Sequence, residues 1–304
     1  MEYADKFDAV VIGAGARLAK AGLSILLLEE RDRLGGRAST EEIEGFKVNI
    51  GAIALEQGGV FEETLDLVGK KLDVRVPRPG VAYFIDGKLI DASRGGWSLV
   101  LNGITKHAAR ILEQFAEARG GKLPDGRQST AEWLAGFTRN ETVHAIFRNL
   151  CAAIFACNAD ELPARAFLTY FTAKGAFKHF GFCPRGTVGV WNDLGDGIRE
   201  HGGKIHLNAR GERILIEDGR AHGVTVACAG RLRTLCADTV ISNAGPKLTV
   251  ALGGAANFPA DYLSLVRDRL KPAANIVINF ASREPLMTAP GLINFGKTRR
   301  LCNM

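Results

Sequence analysis

Three groups of residues near the start of the chain have the types and spacing of a nucleotide-binding site. Gly13-Ala14-Gly15 follows a short apolar run, and glycine there lets backbone N–H groups approach a pyrophosphate. Glu29 ends a second apolar run, where a carboxylate can accept hydrogen bonds from a ribose. Gly35-Gly36-Arg37 adds a close-approaching backbone and a guanidinium for phosphate. Each group alone also fits a plain turn, a solvated strand end or a loop, whereas the combination indicates dinucleotide binding.

A strand–helix–strand unit is predicted to position these groups. Residues 8–12 and 24–28 are apolar without alternation, which is typical of parallel strands buried on both faces. Residues 16–21 predict a helix, which Gly22 ends. The sequence therefore predicts a βαβ unit with the nucleotide-binding residues at its strand ends.

The rest of the chain predicts helices first and then a return to strands. Asp86-Gly87, between residues 81–85 and 88–90, predicts a hairpin with a two-residue turn. Ser129 and Glu132 have the spacing of a capping box. Further helices are predicted at 60–68, 98–119, 141–157, 187–201 and 261–270, and strands at 204–207, 212–216, 223–227, 231–235, 238–242 and 274–280. This order predicts a nucleotide-binding domain interrupted by a second domain.

Composition narrows the class of protein. The 304 residues, 46% hydrophobic and 24% charged, indicate a globular chain of two domains. The net charge of +6 is spread along the sequence without a basic run among aromatics, so no nucleic-acid partner is expected. No apolar stretch has the ~18 residues of a membrane span, and no signal peptide is predicted. The six cysteines lack zinc spacing, which predicts reduced thiols, no metal site and a cytoplasmic protein.

The N-terminal motif resembles that of a known family. Residues 18–29, LAKAGLSILLLE, followed by Gly35-Gly36-Arg37, are similar to the FAD-binding fingerprint of the phytoene desaturase and amine oxidase flavoproteins. Four later segments also resemble family segments, namely residues 45–52, 184–187, 211–214 and 237–244. The resemblance covers essentially the whole chain, and residues 237–244 are most similar to the carotenoid desaturase and isomerase branch.

This resemblance implies an α/β fold in which a Rossmann-like FAD-binding domain carries an inserted α+β substrate domain. The implied boundaries are residues 1–75 and 186–248 for the FAD domain, and 76–185 and 249–304 for the substrate domain, the last part incomplete. The implied FAD-binding residues are Gly13 and Gly15 at the pyrophosphate, Glu29 at the ribose, Gly35, Gly36 and Arg37 at phosphate and ring, Gly51 and Ala52 near the isoalloxazine, Gly211 beside the adenine, and Ala16 and Asn243. No catalytic acid or base is identified.

Two departures from the family pattern bear on this implication. Leu18 stands where Gly-x-Gly-x-x-Gly has its third glycine, as though about seven residues, roughly two helical turns, were removed before position 16. The eleven residues between Ile12 and Ser24 are near the lower limit for a parallel crossover, which predicts a strained unit or an altered pyrophosphate site. The sequence also ends before the family's C-terminal glycine-rich segment, and a shortened member or an incomplete reading frame is expected.

The resemblance implies FAD-dependent dehydrogenation or isomerisation of a hydrophobic, carotenoid- or isoprenoid-like small molecule. Two alternatives stay open: a flavin amine oxidase, and a flavin-free carrier of prenyl lipid similar to Rab GDP-dissociation inhibitors. Six aromatic residues between 167 and 182 predict a domain core, or else the wall of an apolar channel or a patch that contacts a membrane surface. The oligomeric state is left open.

Overall fold

A computed structural model describes residues 6–12, 16–92, 108–172, 180–289, 291–298 and 301–302. The chain divides into two compact units. The first consists of residues 1–53, 60–73 and 183–272, and the second of residues 54–59, 74–182 and 273–304. Residues 249–272, which the family resemblance implies to be part of the substrate domain, belong to the first unit. The assignment of the units to flavin and substrate binding stays a prediction.

The described residues form these elements. The strands are β1 (Lys6–Ile12), β2 (Ile25–Leu28), β3 (Ala38–Ile43), β4 (Phe46–Gly51), β5 (Leu55–Glu56), β6 (Val81–Ile85), β7 (Lys88–Asp91), β8 (Phe180–Gly181), β9 (Lys204–His206), β10 (Ala209–Glu217), β11 (Arg220–Cys228), β12 (Arg231–Ser242) and β13 (Leu292–Phe295). The helices are α1 (Ala16–Lys20), α2 (Val60–Leu67), α3 (Ala108–Arg119), α4 (Thr130–Ala135), α5 (Glu141–Phe155), α6 (Ala164–Thr172), α7 (Thr187–Glu200), α8 (Pro246–Gly253) and α9 (Ala260–Asp268).

The first unit is built on a six-stranded sheet with the order β10-β11-β12-β1-β2-β9. β12, β1, β2 and β9 are parallel neighbours, which confirms the predicted βαβ unit and the α/β fold class. The two strands predicted at 231–235 and 238–242 form one strand, β12, so that part of the prediction is wrong. The reason is that β12 pairs first with β11 and then, from Cys236 onward, with β1, so its backbone stays in ladders throughout.

Apolar side chains cover both faces of this sheet. In β2, Leu26 and Leu28 contact the cluster formed with the β10–β12 strands, whereas Ile25 and Leu27 contact a second cluster that includes α1 and α7. All four β2 side chains are almost fully buried, and burial of each contributes about 2 kcal/mol to folding. The absence of alternation in the sequence follows from this burial on both faces.

The second unit combines a three-stranded sheet, β13-β6-β7, with helices α3 to α6. Its core contains Trp133, Phe147 and Phe167, and Phe167 also contacts Phe171 at a ring-centroid distance of 4.6 Å. Among the predicted aromatics, Phe167 and Phe180 are therefore core residues, while position 177 lies outside the described residues. Within the described part of the chain, no helix has the length and apolar character needed to cross a membrane.

Two local predictions in the second unit have opposite outcomes. The hairpin at Asp86-Gly87 is confirmed, since φ is +49° and +77° at the two turn residues. The strand predicted at 274–280 is wrong, because this segment is irregular and exposed and no described strand pairs with it. An apolar β-prone run becomes a strand only where another strand edge is available. The predicted helix 98–119 is described from Ala108, and its first part lies outside the described residues.

The capping box at the start of α4 is confirmed and gives a first testable prediction. The Ser129 hydroxyl accepts the Glu132 N–H, and the Glu132 carboxylate accepts the Ser129 N–H, which lowers the pKa of Glu132 below its usual 4.5. We expect Ser129→Ala to lower the free energy of unfolding by about 1 kcal/mol in urea titrations at pH 7. Because the pKa of Glu132 is lowered on folding, its contribution is present above pH 4.5 and is lost at more acidic pH. Ser282→Ala removes a hydroxyl that accepts the exposed Glu284 N–H in an irregular segment, and should change the free energy of unfolding by less than about 0.5 kcal/mol.

Candidate functional site

Three of the predicted site residues meet at the carboxyl edge of the parallel strands. The Asn243 N–H, just after β12, donates to the Ile12 carbonyl at the end of β1 over 2.7 Å. Gly211 lies across from the same residue, since a Cβ added to it would be 3.3 Å from Ile12 Cδ1. Glu29 follows β2, and its carbonyl accepts the Ala209 N–H over 2.9 Å. Residues separated by more than 200 positions are thus brought to one edge.

Two backbone hydrogen bonds fix the position of Glu29 and its carboxylate. The Glu29 N–H donates to the His206 carbonyl at 2.9 Å, so the residue continues the β2–β9 ladder. One carboxylate oxygen, Oε1, accepts the Arg31 N–H at 3.0 Å. Glu29 is half-buried, whereas its neighbour Glu30 is exposed. A fixed, half-buried acceptor at a strand end can take hydrogen bonds from sugar hydroxyl groups.

A second group of predicted residues surrounds the base of the β3–β4 hairpin. The Ala52 N–H donates to the Arg37 carbonyl at 3.2 Å, and Ala38 pairs with Gly51. Gly51 has a φ of +78°, and a Cβ there would be 1.8 Å from the Arg37 carbonyl oxygen, so only glycine fits. The Arg37 side chain is exposed at this point.

The two glycines before Arg37 differ in what surrounds them. A Cβ at Gly35 would be 2.5 Å from Trp191 Cδ1 of α7, and the Trp191 Nε1–H donates to the Ala38 carbonyl at 2.5 Å. The absence of a side chain at Gly35 is therefore explained by packing of the tryptophan. A Cβ at Gly36 would have no neighbour within 4 Å, so open space adjoins its backbone.

A buried polar network at the start of α7 was not found from the sequence. The Thr187 N–H donates to Asn49 Oδ1 at 3.1 Å, and the Val188 N–H donates to Thr40 Oγ1 at 3.2 Å. These side chains from β3 and β4 satisfy N–H groups that a helix start leaves free. The only signal in the sequence is Asn49, a polar residue between Val48 and Ile50 of β4. The network joins the hairpin that carries Gly51 to the rest of the first unit.

The predicted pyrophosphate turn is described only in part. Gly13 and Gly15 lie outside the described residues, and Ala16 begins α1, where it is buried against the sheet. Leu18, at the position of the third glycine, packs against the same apolar cluster. β1 and β2 pair in parallel from Ala9 to Ile12, so the short crossover closes even though α1 has only five residues.

The residues at the carboxyl edge fit the adenosine part of a dinucleotide. β1 lies between β12 and β2 and is parallel to both, and in open α/β sheets ligands bind outside the carboxyl ends of such strands. Glu29 supplies acceptor oxygens there, and the backbone at Gly211 is free of a side chain. The parallel strands, the β1–α1–β2 crossover and the carboxylate at the end of β2 are together typical of a dinucleotide-binding α/β fold.

The chain belongs to the family of flavin containing amine oxidoreductases, whose pattern matches residues 12–255. Membership of this family implies a flavin cofactor. The chain is also similar to hydroxyneurosporene desaturase of Cereibacter sphaeroides, with 26% identity over 322 aligned positions that cover 86% of this chain and 60% of the relative. It is 26% identical to a lycopene-forming phytoene desaturase of Pseudescherichia vulneris, over 77% of this chain and 55% of that protein.

A solved structure supports the same assignment. An oxidoreductase from Methanosarcina mazei superposes with a TM-score of 0.80 and 26% sequence identity, covering 98% of this chain and 73% of the other. The chain therefore spans most of that structure, but only 55–60% of the length of the two desaturases. The predicted resemblance to the phytoene desaturase and amine oxidase flavoproteins is confirmed.

Proposed function

We propose that the protein is an FAD-dependent oxidoreductase that dehydrogenates or isomerises a hydrophobic, carotenoid- or isoprenoid-like substrate. One observation carries the cofactor proposal: the half-buried Glu29 carboxylate stands at the end of β2, beside the residues that contact Ile12, in a chain of a flavin-containing family. The substrate class is supported by the two similar desaturases, which are named for hydroxyneurosporene and phytoene.

Within this proposal each site residue has a defined role. Glu29 accepts the ribose hydroxyl groups, and Gly211 and Asn243 leave the adenine end accessible. Gly13, Gly15 and Ala16 serve the pyrophosphate. Gly35, Gly36 and Arg37 serve the phosphates and the flavin ring, with the exposed Arg37 guanidinium supplying positive charge. Gly51 and Ala52 form the backbone nearest the isoalloxazine.

The chemistry is divided between the cofactor and the chain. When bound, FAD would supply the hydride acceptor for oxidation of a C–H bond. The residues of this chain would bind FAD and orient it toward the substrate. An apolar substrate is delivered from a lipid phase, so contact of a cytoplasmic protein with a membrane surface belongs to the proposal.

The test begins with the purified protein and its bound small molecules. We expect flavin absorption bands and, after denaturation, release of FAD identified by mass spectrometry. Under anaerobic conditions, a polyene or isoprenoid hydrocarbon in detergent should bleach the flavin bands if it is dehydrogenated, or change its own absorption without bleaching them if it is isomerised, whereas primary amines should do neither. Bleaching by amines alone would favour the amine oxidase alternative. A colourless protein that co-purifies with prenyl lipid would contradict the proposal and favour the carrier.

A further inference from the structure

Residues 274–280 form an exposed, uncharged and β-prone segment. Ile276, Ile278 and Phe280 have 91%, 68% and 76% of their surfaces exposed. No charged residue occurs between Lys271 and Arg283, and no described strand pairs with the segment. Such a segment combines free backbone hydrogen-bonding groups with apolar side chains, and it is a ready template for pairing with another strand.

The order of side chains in this segment is self-complementary. Residues 275–279, Asn-Ile-Val-Ile-Asn, read the same in both directions. In an antiparallel pair centred on Val277, Ile276 lies opposite Ile278 of a second copy, and Asn275 opposite Asn279 of that copy. Opposite residues share a face, so isoleucine meets isoleucine and amide meets amide. A two-fold interface requires this kind of match between a patch and itself.

Side chains alternate along the segment, so the two paired strands form a ribbon with two different faces. Ala274, Ile276, Ile278 and Phe280 point to one side and Asn275, Val277 and Asn279 to the other, because side chains alternate in a strand. The first face is wholly apolar, and the second carries amides that can bond across the strands. Since an isolated two-stranded ribbon is only marginally stable, we expect its apolar face to rest on the bodies of the two copies.

We propose that residues 274–280 form the interface of a homodimer, as an antiparallel ribbon with Val277 on the two-fold axis. A lipid surface fits the segment less well. An extended, unpaired backbone cannot enter a bilayer without leaving its N–H and C=O groups unsatisfied, and the two asparagines add amides to that cost. Pairing with a second copy satisfies the backbone N–H and C=O groups, and it places the matching residues of 275–279 opposite each other. This proposal is independent of the proposed catalytic function.

Disulfide trapping tests the register directly. On the two-fold axis, the two copies of position 277 lie about 4.5–5.5 Å apart between Cα atoms, within the range of a disulfide. Two copies of position 275 lie four residues out of register, roughly 13 Å apart, which is too far. We expect mild oxidation to crosslink Val277→Cys into dimers at least tenfold more than Asn275→Cys. The wild-type protein controls for its own half-buried cysteines.

Charge pairing supplies a second test, read by sedimentation velocity over a range of concentrations. The double variant Ile276→Lys/Ile278→Lys places lysine opposite lysine twice, and Ile276→Glu/Ile278→Glu places glutamate opposite glutamate. We expect each alone to dimerise at least 100-fold more weakly than the wild type, and an equimolar mixture to recover the dimer. Both substituted positions, 276 and 278, are exposed in the monomer, so unchanged circular dichroism confirms folding.

Several results would overturn the proposal. A wild-type protein that stays monomeric at every concentration contradicts it, as does equal crosslinking at positions 277 and 275. Assemblies larger than dimers indicate open-ended strand addition. Binding of the monomer to phospholipid vesicles, abolished by the charged variants without any change in mass, identifies the segment as a lipid contact instead.

Discussion

We expect Glu29→Ala to weaken FAD binding about thirtyfold, because it removes the acceptor of the ribose hydroxyl groups and leaves those hydroxyls without a partner. A hydrogen bond to a charged group contributes about 2 kcal/mol, which corresponds to that factor. The β2–β9 ladder fixes the backbone of Glu29, and the Arg31 N–H donates to its carboxylate, so the acceptor is held at the strand end. The measurement is fluorescence titration of the flavin-free protein with FAD.

The adjacent residue provides a matched control for this experiment. Glu30 has the same charge but is exposed, so Glu30→Ala changes the net charge equally without touching the strand end. We expect its FAD affinity to stay within twofold of the wild type, as expected for an exposed charge screened by solvent. Equal affinities of the two variants would show that the carboxylate at position 29 does not contact the nucleotide.

The second large effect concerns stability. Gly51→Ala should lower the free energy of unfolding by at least about 4 kcal/mol. A left-handed backbone costs an L-residue about 1–2 kcal/mol, and the new Cβ would lie 1.8 Å from the Arg37 carbonyl oxygen. The β3–β4 pairing at Ala38 must open to relieve that contact. Urea unfolding followed by circular dichroism measures the loss, and FAD binding should fall with it.

Gly45, in the turn of the same hairpin, separates the two causes. Its φ of +79° matches that of Gly51, but a Cβ there has no neighbour within 4 Å. Gly45→Ala should therefore cost only about 1 kcal/mol, from backbone conformation alone. If both variants lose the same stability, the contact with the Arg37 carbonyl is not what requires glycine at position 51.

Elements with local causes were predicted well from the sequence. The apolar runs of β1 and β2 reflect burial on both faces, and the Asp86-Gly87 turn and the Ser129 cap depend on neighbouring residues only. The position of Glu29 directly after β2 has a local cause as well, whereas nucleotide binding by Glu29 and the glycines stays a prediction. The specific roles of the site residues remain predictions.

Elements that depend on distant partners were not predictable in the same way. Thr40 and Asn49 satisfy the start of α7, which lies about 140 positions later in the chain. Gly35 accommodates Trp191 of the same helix, although the sequence indicated only approach of a ligand. Such long-range contacts leave no periodic pattern in the sequence, so they could not be predicted from it.

The sequence by itself determined the βαβ unit, the carboxylate at the end of β2 and the family to which the chain belongs. These depend on burial patterns and turn residues within short stretches. Only the tertiary structure decided that β12 runs unbroken beside β1, that Asn243 and Gly211 meet at Ile12, and that residues 274–280 have no strand beside them. A β-prone segment forms a strand only when it pairs with another strand, and the tertiary fold determines which strands lie beside each other.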